Sequence, residues 1–419
     1  MSKQSISTRI ESLLAPYRSL GFSLWSMFFA TMINRFGDFV APFLSLYLSK
    51  ALGFDPARTG LMVAVTFGAS TLGALFSGRL ADAIGRKRSL LACHTAAAVC
   101  NLSMSFLFHQ TWAPWLIVFG SLFRGAARPL ISAVLTDLSP PGKRKEVFGL
   151  QYWSVNVGVA VGPLVAAFLF NNHLAWLFRG DALSTLLSVV LIAWGVRLPK
   201  RHGTAMTNLE RHDERGAVRA FLARPILVAF CAVALLNSVT YSQTGFALPL
   251  TLSSRFGSAG TTFFGVLMSL NAIVVIVLSI PIARALRSRS PLGCMALSGI
   301  FYVIGFGMFA AHLPRAGFIV STIVWTTGEI VAATNIGVFV AKHSPANWRG
   351  SFQSFTGVFF QGGWSLGPLL AGPLLEARGS SVLWLVTAGL CLVWAAGALL
   401  IDRWDGRIGA EPISAPAVK

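Results

Sequence analysis

Twelve long apolar stretches, separated by short polar breaks, constrain this chain of 419 residues more than any other feature. A bilayer core takes about 20 apolar residues per helix. Stretches of that length run at roughly 21–49, 58–79, 89–108, 112–136, 147–171, 174–195, 225–250, 261–285, 291–311, 315–341, 350–375 and 381–401. Lipid offers no partner to an unpaired backbone group, so each is expected to be helical. Only 12% of residues are charged and the mean hydropathy is +0.67; soluble domains carry about twice that charge. The expectation is an all-α membrane protein with twelve transmembrane helices.

The breaks set the orientation. With the N-terminus inside, 25 of the 34 Lys and Arg fall on the cytoplasmic side. Six fall on the other side: Lys50, Arg58, Arg179, Arg255, Arg315 and Arg378. That bias places both termini in the cytoplasm, in an inner or plasma membrane. It also accounts for the net charge of +19, so no nucleic-acid partner is expected. The five cysteines lie inside apolar stretches with no ligand spacing, which implies neither a disulfide framework nor a metal site. No short apolar segment with a small-residue cleavage site opens the chain, so the first span is expected to be retained. The division is a tail at 1–20, a six-helix bundle at 21–196, a basic central loop at 197–224 with a short surface helix, a second bundle at 225–401 and a tail at 402–419.

The two halves repeat. A shift of 205 residues lays Ser139-Pro140 over Ser344-Pro345, Arg144 over Arg349, and Gly162-Pro163-Leu164 over Gly367-Pro368-Leu369. Two pseudo-symmetric bundles related by an axis along the membrane normal follow. The same shift puts Arg124 opposite Glu329. Gly158 and Gly162, at i and i+4, present a flat face for close helix contact, and Pro163 removes a backbone donor and permits a bend. Packing and a part in setting the direction of transport are both open to this motif.

Gly78-Arg79-Leu80-Ala81-Asp82-Ala83-Ile84-Gly85-Arg86-Lys87-Arg88 is the one dense charged knot in the first hundred residues. Asp82, among four cations, is expected to pair with one of them or with a helix N-terminus. The order of Gly, Asp, Gly and basic residues resembles the signature loop between helices 2 and 3 of the major facilitator superfamily. The Gly158–Pro163 segment resembles the glycine-proline motif of that superfamily's antiporters. Phe123-Arg124-Gly125-Ala126-Ala127 resembles its fourth-span motif, in which an Arg supports proton coupling; the usual Gln is absent and Arg128 is an addition. The resemblance implies a secondary transporter, not an enzyme, working by rocking of two halves. Gly78, Asp82, Gly85, Arg86 and Lys87 would form the gating loop, clasping the cytoplasmic side in the outward-open state. The partners implied are a small-molecule substrate, protons and the lipid bilayer. A monomer without cofactor is expected, and no nucleotide-binding glycine loop is present.

An ionisable group near the bilayer centre costs about 3 kcal/mol, so such residues are functional candidates. They are Arg35 and Asp38 in the first span, Arg124 and Arg128 in the fourth, and Glu329 in the tenth. Asp181, two residues after Arg179, is expected to have a local or interfacial role. Asp38 sits at i+3 from Arg35 and i+4 from Asn34; it either loads a proton or forms a permanent ion pair. Arginine cannot release its proton, so Arg124 tunes the carrier rather than being it. Glu329 is a second proton carrier or a contact for a cationic or hydroxylated ligand. Asn34, Arg35, Arg128, Asn156, Tyr241, Gln243, Trp325 and Gln361 are the candidate substrate lining, and His94 is expected to be a satisfied core histidine. The pattern points to proton-coupled export, by antiport, of small amphipathic organic molecules or drugs. Uptake or exchange of a small organic anion is the alternative, since the five central charges sum to +1; a non-transporting sensor is the third reading.

Overall fold

A computed structural model of the chain describes residues 20–140, 143–198, 214–311, 313–344 and 349–408. The described residues form helices and no strand. In chain order these are α1 (Phe22–Phe36), α2 (Val40–Leu46, continued by a π-helical turn Tyr47–Ala51), α3 (Pro56–Ile84), α4 (Arg86–Leu107), α5 (Pro114–Leu138), α6 (Arg144–Asn172) and α7 (Leu174–Gly195). Then come α8 (Glu214–Leu222), α9 (Pro225–Tyr241), α10 (Ala247–Phe256), α11 (Ser258–Ala285), α12 (Pro291–Met308), α13 (Arg315–His343) and α14 (Arg349–Ile408). The short α8 is the helix expected in the central loop; its Phe221 packs edge-on against Phe352 and Phe355. Residues 199–213 of that loop and the outer parts of both tails lie outside the described residues.

Ten helical stretches are long and apolar enough to cross a bilayer, against twelve apolar runs in the sequence. Two local features reconcile the numbers. The first run is cut at Gly37–Phe39, so neither α1 nor α2 reaches the length alone. The eleventh and twelfth runs are joined in α14 through Gly379, whose φ of 77° and ψ of 175° are non-helical; positive φ is a conformation glycine adopts without strain.

The break in the first run coincides with a close approach of helices. A Cβ on Gly37 would collide with the Ser184 side chain, so α1 and α7 touch there only because the residue is glycine. Pro42 falls in the first turn of α2, where a missing donor costs nothing. The seventh run breaks in the same way, at the 3₁₀ turn Ser242–Thr244 between α9 and α10. Pro163, by contrast, neither ends nor breaks α6.

The chain forms two compact units. The first holds the described residues of Met1–Gly53, Val65–His202 and Leu252–Ala272; the second holds those of Phe54–Ala64, Gly203–Thr251 and Ile273–Lys419. Two segments are thus exchanged relative to a division by chain order. In the first unit, the start of α11 packs on α6: Asn171 donates to Thr262 Oγ1 at 3.0 Å and Phe43 meets Phe264 at 5.3 Å. In the second, the start of α3 packs on α14: Ser365 donates to the Ala64 carbonyl at 2.7 Å and Glu376 accepts from the Ala57 amide at 3.2 Å.

The cores of the units differ in texture. Leu20, Met27, Ala30, Leu90, Cys93, Ala126, Ala127, Leu130 and Val134 make an aliphatic core in the first. Rings dominate the second, where Tyr302 stacks on Phe306 at 5.2 Å and Phe309 meets Trp384 at 4.8 Å. Large apolar side chains such as Trp194 and Phe106 are exposed, as suits helices whose outer faces meet lipid rather than water.

Candidate functional site

The break after α1 gathers partly buried charges of the first unit around the buried Asp181. Asp38 Oδ2 accepts from Arg35 Nη1 at 3.1 Å, and its Oδ1 accepts from Arg124 Nη1 at 2.7 Å. Arg124 reaches on with Nη2 to Asp181 Oδ1 at 3.2 Å. Asp181 is only 2% exposed. It is held by Asn101 Nδ2 at 2.8 Å and by the Val40 amide at 3.2 Å, a donor that the break sets free. One turn further along α7, Thr185 accepts from Asn34 at 3.0 Å. The result is a chain of alternating charge, Arg35–Asp38–Arg124–Asp181, joining α1, α5 and α7.

Asp181 thus belongs to the charged network rather than to a local or interfacial pair. Residues two apart on a helix point about 200° apart. Arg179 accordingly turns the other way, toward Ser105 at 3.4 Å and the rings of Phe106 and Trp176.

Two cavities flank the chain of charges. One, lined by Asn34, Arg35, His94, Arg128 and Thr185 among others, has about 20 Å³ open to the centre of a water molecule. The other has about 70 Å³ and a more apolar wall that includes Val40, Leu44, Phe67 and Ile117. Asp38, Arg124 and Arg128 border both. The Arg128 guanidinium has no hydrogen bond or ion pair among the described residues. His94, expected to be satisfied, is 6% exposed, and its Nδ1 has no partner among the described residues. Its cavity holds both arginines and the carboxylates of Asp38 and Asp181, but the carboxylates are engaged by Arg35 and Arg124.

The second unit carries a smaller polar pair in the corresponding place. Tyr241 donates to Glu329 Oε1 at 2.8 Å. Around it, the Tyr241 ring meets Trp364 at 5.5 Å and Trp325 at 6.1 Å. Trp325 is 1% exposed, in the wall rather than on a ligand surface. Gln243 is also buried, donating to the Val239 carbonyl at 3.1 Å. Asn156 is tied to its own helix through the Tyr152 carbonyl at 2.8 Å. Gln361 is half-buried and makes no side-chain hydrogen bond among the described residues. The structure therefore draws together Asn34, Arg35, Asp38, Arg124 and Arg128 in one unit, and Tyr241, Trp325 and Glu329 in the other.

The loop between α3 and α4 pairs differently from expectation. Asp82 is exposed and makes no ion pair or hydrogen bond among the described residues. Arg86 reaches Asp137 at 2.5 Å instead. Lys87 caps the end of α7 through the carbonyls of Ala193 at 2.8 Å and Val196 at 2.6 Å, where a cation suits the helix dipole. Gly85 turns the chain at φ 87°, and nothing lies within 4 Å of a Cβ on Gly78. The turn points the basic side chains back toward α5 and α7 and leaves Asp82 outside.

The glycine-proline motif is a packing face in both units. A Cβ on Gly158 would lie 2.6 Å from the Met32 carbonyl, and one on Gly162 would lie 2.5 Å from that of Phe36. In the second unit, Gly363 faces the Leu235 carbonyl at 2.8 Å and Gly367 that of Val239 at 2.8 Å. The first helix of each unit is thus offset by 203 residues, while α6 and α14 keep 205. The α4–α5 and α12–α13 pairs keep 205 as well, Gly120 facing Cys100 where Gly305 faces Trp325. On these offsets Tyr241 occupies the place of Asp38, and Glu329 that of Arg124.

An all-helical membrane chain with a duplicated bundle and ionised groups inside its spans defines the class of polytopic carriers. The family model of the Major Facilitator Superfamily matches residues 25–368; the chain belongs to that superfamily and has its twelve-helix fold of two pseudo-symmetric bundles. It is 25% identical to the uncharacterized MFS-type transporter YhjO of Bacillus subtilis, over 88% of this chain and 91% of that one. It is also 25% identical to a Na(+), Li(+), K(+)/H(+) antiporter of Planococcus maritimus, over 84% and 88%. Among solved structures, the nucleoside transporter NupG superposes with a TM-score of 0.76 at 18% identity, over 91% of this chain and 99% of that one. The chain is a transporter, a non-enzymatic integral membrane protein.

Proposed function

We propose that this transporter is proton-coupled and exports small amphipathic organic molecules by antiport, with Asp38 as the coupling carboxylate. One observation carries the reading. Each oxygen of Asp38 holds a different guanidinium, Arg35 at 3.1 Å and Arg124 at 2.7 Å. A proton on Asp38 weakens both links at once and loosens α1 from α5, so protonation biases one conformation and a substrate favouring the other competes with it. Arg124, tied to Asp181, stays in place as the cation that favours renewed loss of the proton from Asp38. Glu329, beside the Tyr241 hydroxyl and two tryptophans, is the second candidate carrier. Likeness to a cation/proton antiporter supports the coupling; the aromatic wall around Tyr241 supports an amphipathic ligand. The excess of Lys and Arg in alternate loops supports a reading with both termini in the cytoplasm.

The test is transport in proteoliposomes with an imposed pH gradient, using a panel of fluorescent amphipathic dyes. Export by antiport requires gradient-driven dye movement that Asp38→Asn abolishes while dye binding persists. Gradient-driven movement unchanged in Asp38→Asn removes Asp38 from the coupling. A second reading, uptake or exchange of a small organic anion, is favoured by Arg128, a cation that borders both cavities of the first unit and has no ion pair among the described residues.

A further inference from the structure

We propose that the first unit holds a binding site for one compact negative charge, a carboxylate or a halide, with Arg128 as its principal ligand. The site deepens the anion reading by naming where the charge sits, and it is independent of transport direction and of proton coupling.

The argument begins with charge. Arg35, Arg124 and Arg128 face Asp38 and Asp181 in this unit, leaving one cation over. Asp38 makes no hydrogen bond or ion pair with Arg128; its oxygens accept from Arg35 and Arg124. Asp181 is occupied by Arg124, Asn101 and the Val40 amide. Arg128 is exposed rather than enclosed, but an uncompensated cation beside two other arginines still carries a repulsive cost. That cost falls when an anion enters beside it. His94 lines the same cavity as Arg128 and makes no ring hydrogen bond among the described residues, so it has a hydrogen bond to offer an anion.

Shape narrows the ligand. The cavity on the His94 side, at about 20 Å³, suits a halide or a carboxylate head and little more. Arg128 also borders the cavity of about 70 Å³ walled by Val40, Leu44, Phe67 and Ile117. A carboxylate held by Arg128 can therefore lay a small apolar tail against these residues. The chemistry is that of an amphipathic monocarboxylate, with a halide as the tailless alternative.

Thermal unfolding of the purified protein at one fixed pH, in buffer whose only anion is a bulky sulfonate, tests the site with three probes. Benzoate supplies a carboxylate with a tail, benzamide is its neutral counterpart, and chloride is the halide. The expected result is a raised midpoint with benzoate and none with benzamide. Arg128→Gln should weaken benzoate binding at least about tenfold, as loss of a charge-assisted contact does, and Arg128→Lys should keep part of it. In the sulfonate buffer alone Arg128→Gln should unfold no earlier than wild type, since it removes an unpaired charge; that separates lost binding from misfolding. A shift with chloride but not benzoate assigns the site to a halide, and the reverse assigns it to an organic acid. No shift with either probe, or an undiminished shift in Arg128→Gln, overturns the proposal. A benzoate shift without proton-driven flux keeps the site and removes the coupling reading; flux without any shift does the opposite.

Discussion

Where the break after α1 meets α5, Asp38 and Arg124 form an ion pair at 2.7 Å. Where the end of α9 meets α13, at the corresponding place in the second unit, Tyr241 donates to Glu329 at 2.8 Å. The same two helix positions are joined, but donor and acceptor have changed sides and one charge has gone. The glycine faces at Gly158 and Gly363 meet their partner backbones in the same way. Backbone packing and polar chemistry are thus separable in this fold. Close approach needs only the absence of a side chain, so both copies keep it. What fills the interior can then diverge, toward a chain of four linked charges in one unit and stacked rings in the other.

The comparison breaks most easily at its strongest point. Arg124→Gln leaves Asp181 buried without its cation, and stability in detergent should fall by about 3–5 kcal/mol. Glu329→Gln keeps an acceptor for Tyr241 and should cost about 1 kcal/mol or less. Equal losses in chemical denaturation would show that the two pairs are not different in kind. Next in size, Asp181→Asn retains hydrogen-bonding capacity toward Asn101 and Val40 but removes a charge from Arg124. A loss of about 1–3 kcal/mol is expected, in the same assay. Gly158→Val and Gly363→Val each drive a side chain into backbone and should cost about 1–3 kcal/mol. Their near-equality sharpens the claim that packing is shared, and a large disparity in unfolding midpoints would undo it. Also small is Trp325→Phe, below about 1.5 kcal/mol, because the Trp325 Nε1 has no partner among the described residues to lose.

Several of these residues stand out in the sequence and others do not. Asp38, Arg124 and Glu329 are conspicuous because a charge within an apolar run is costly wherever it faces. Asp181 is equally apolar in its surroundings, yet Arg179 two residues away offers a ready local explanation. Only the direction of each side chain around α7 separates the two. Asp82 misleads in the opposite sense. Its density of cationic neighbours suggests pairing, but the turn at Gly85 carries Arg86 and Lys87 to Asp137 and to the end of α7. The partnership of Tyr241 with Glu329 is hidden by a change of offset from 205 to 203 between helices of one repeat, invisible to a single ungapped shift.

Number of spans, their repeat and the residues out of place in lipid are all readable along the chain, because the free energy of transferring a residue from water to lipid is local and nearly additive over a window of about 20 residues. Which charges meet is a different matter. It depends on a helix break that releases the Val40 amide, on rotations of about 100° per residue around each helix, and on glycines that let α1 touch α6 and α7. Those are relations between segments far apart in the chain, and they exist only once the helices have packed.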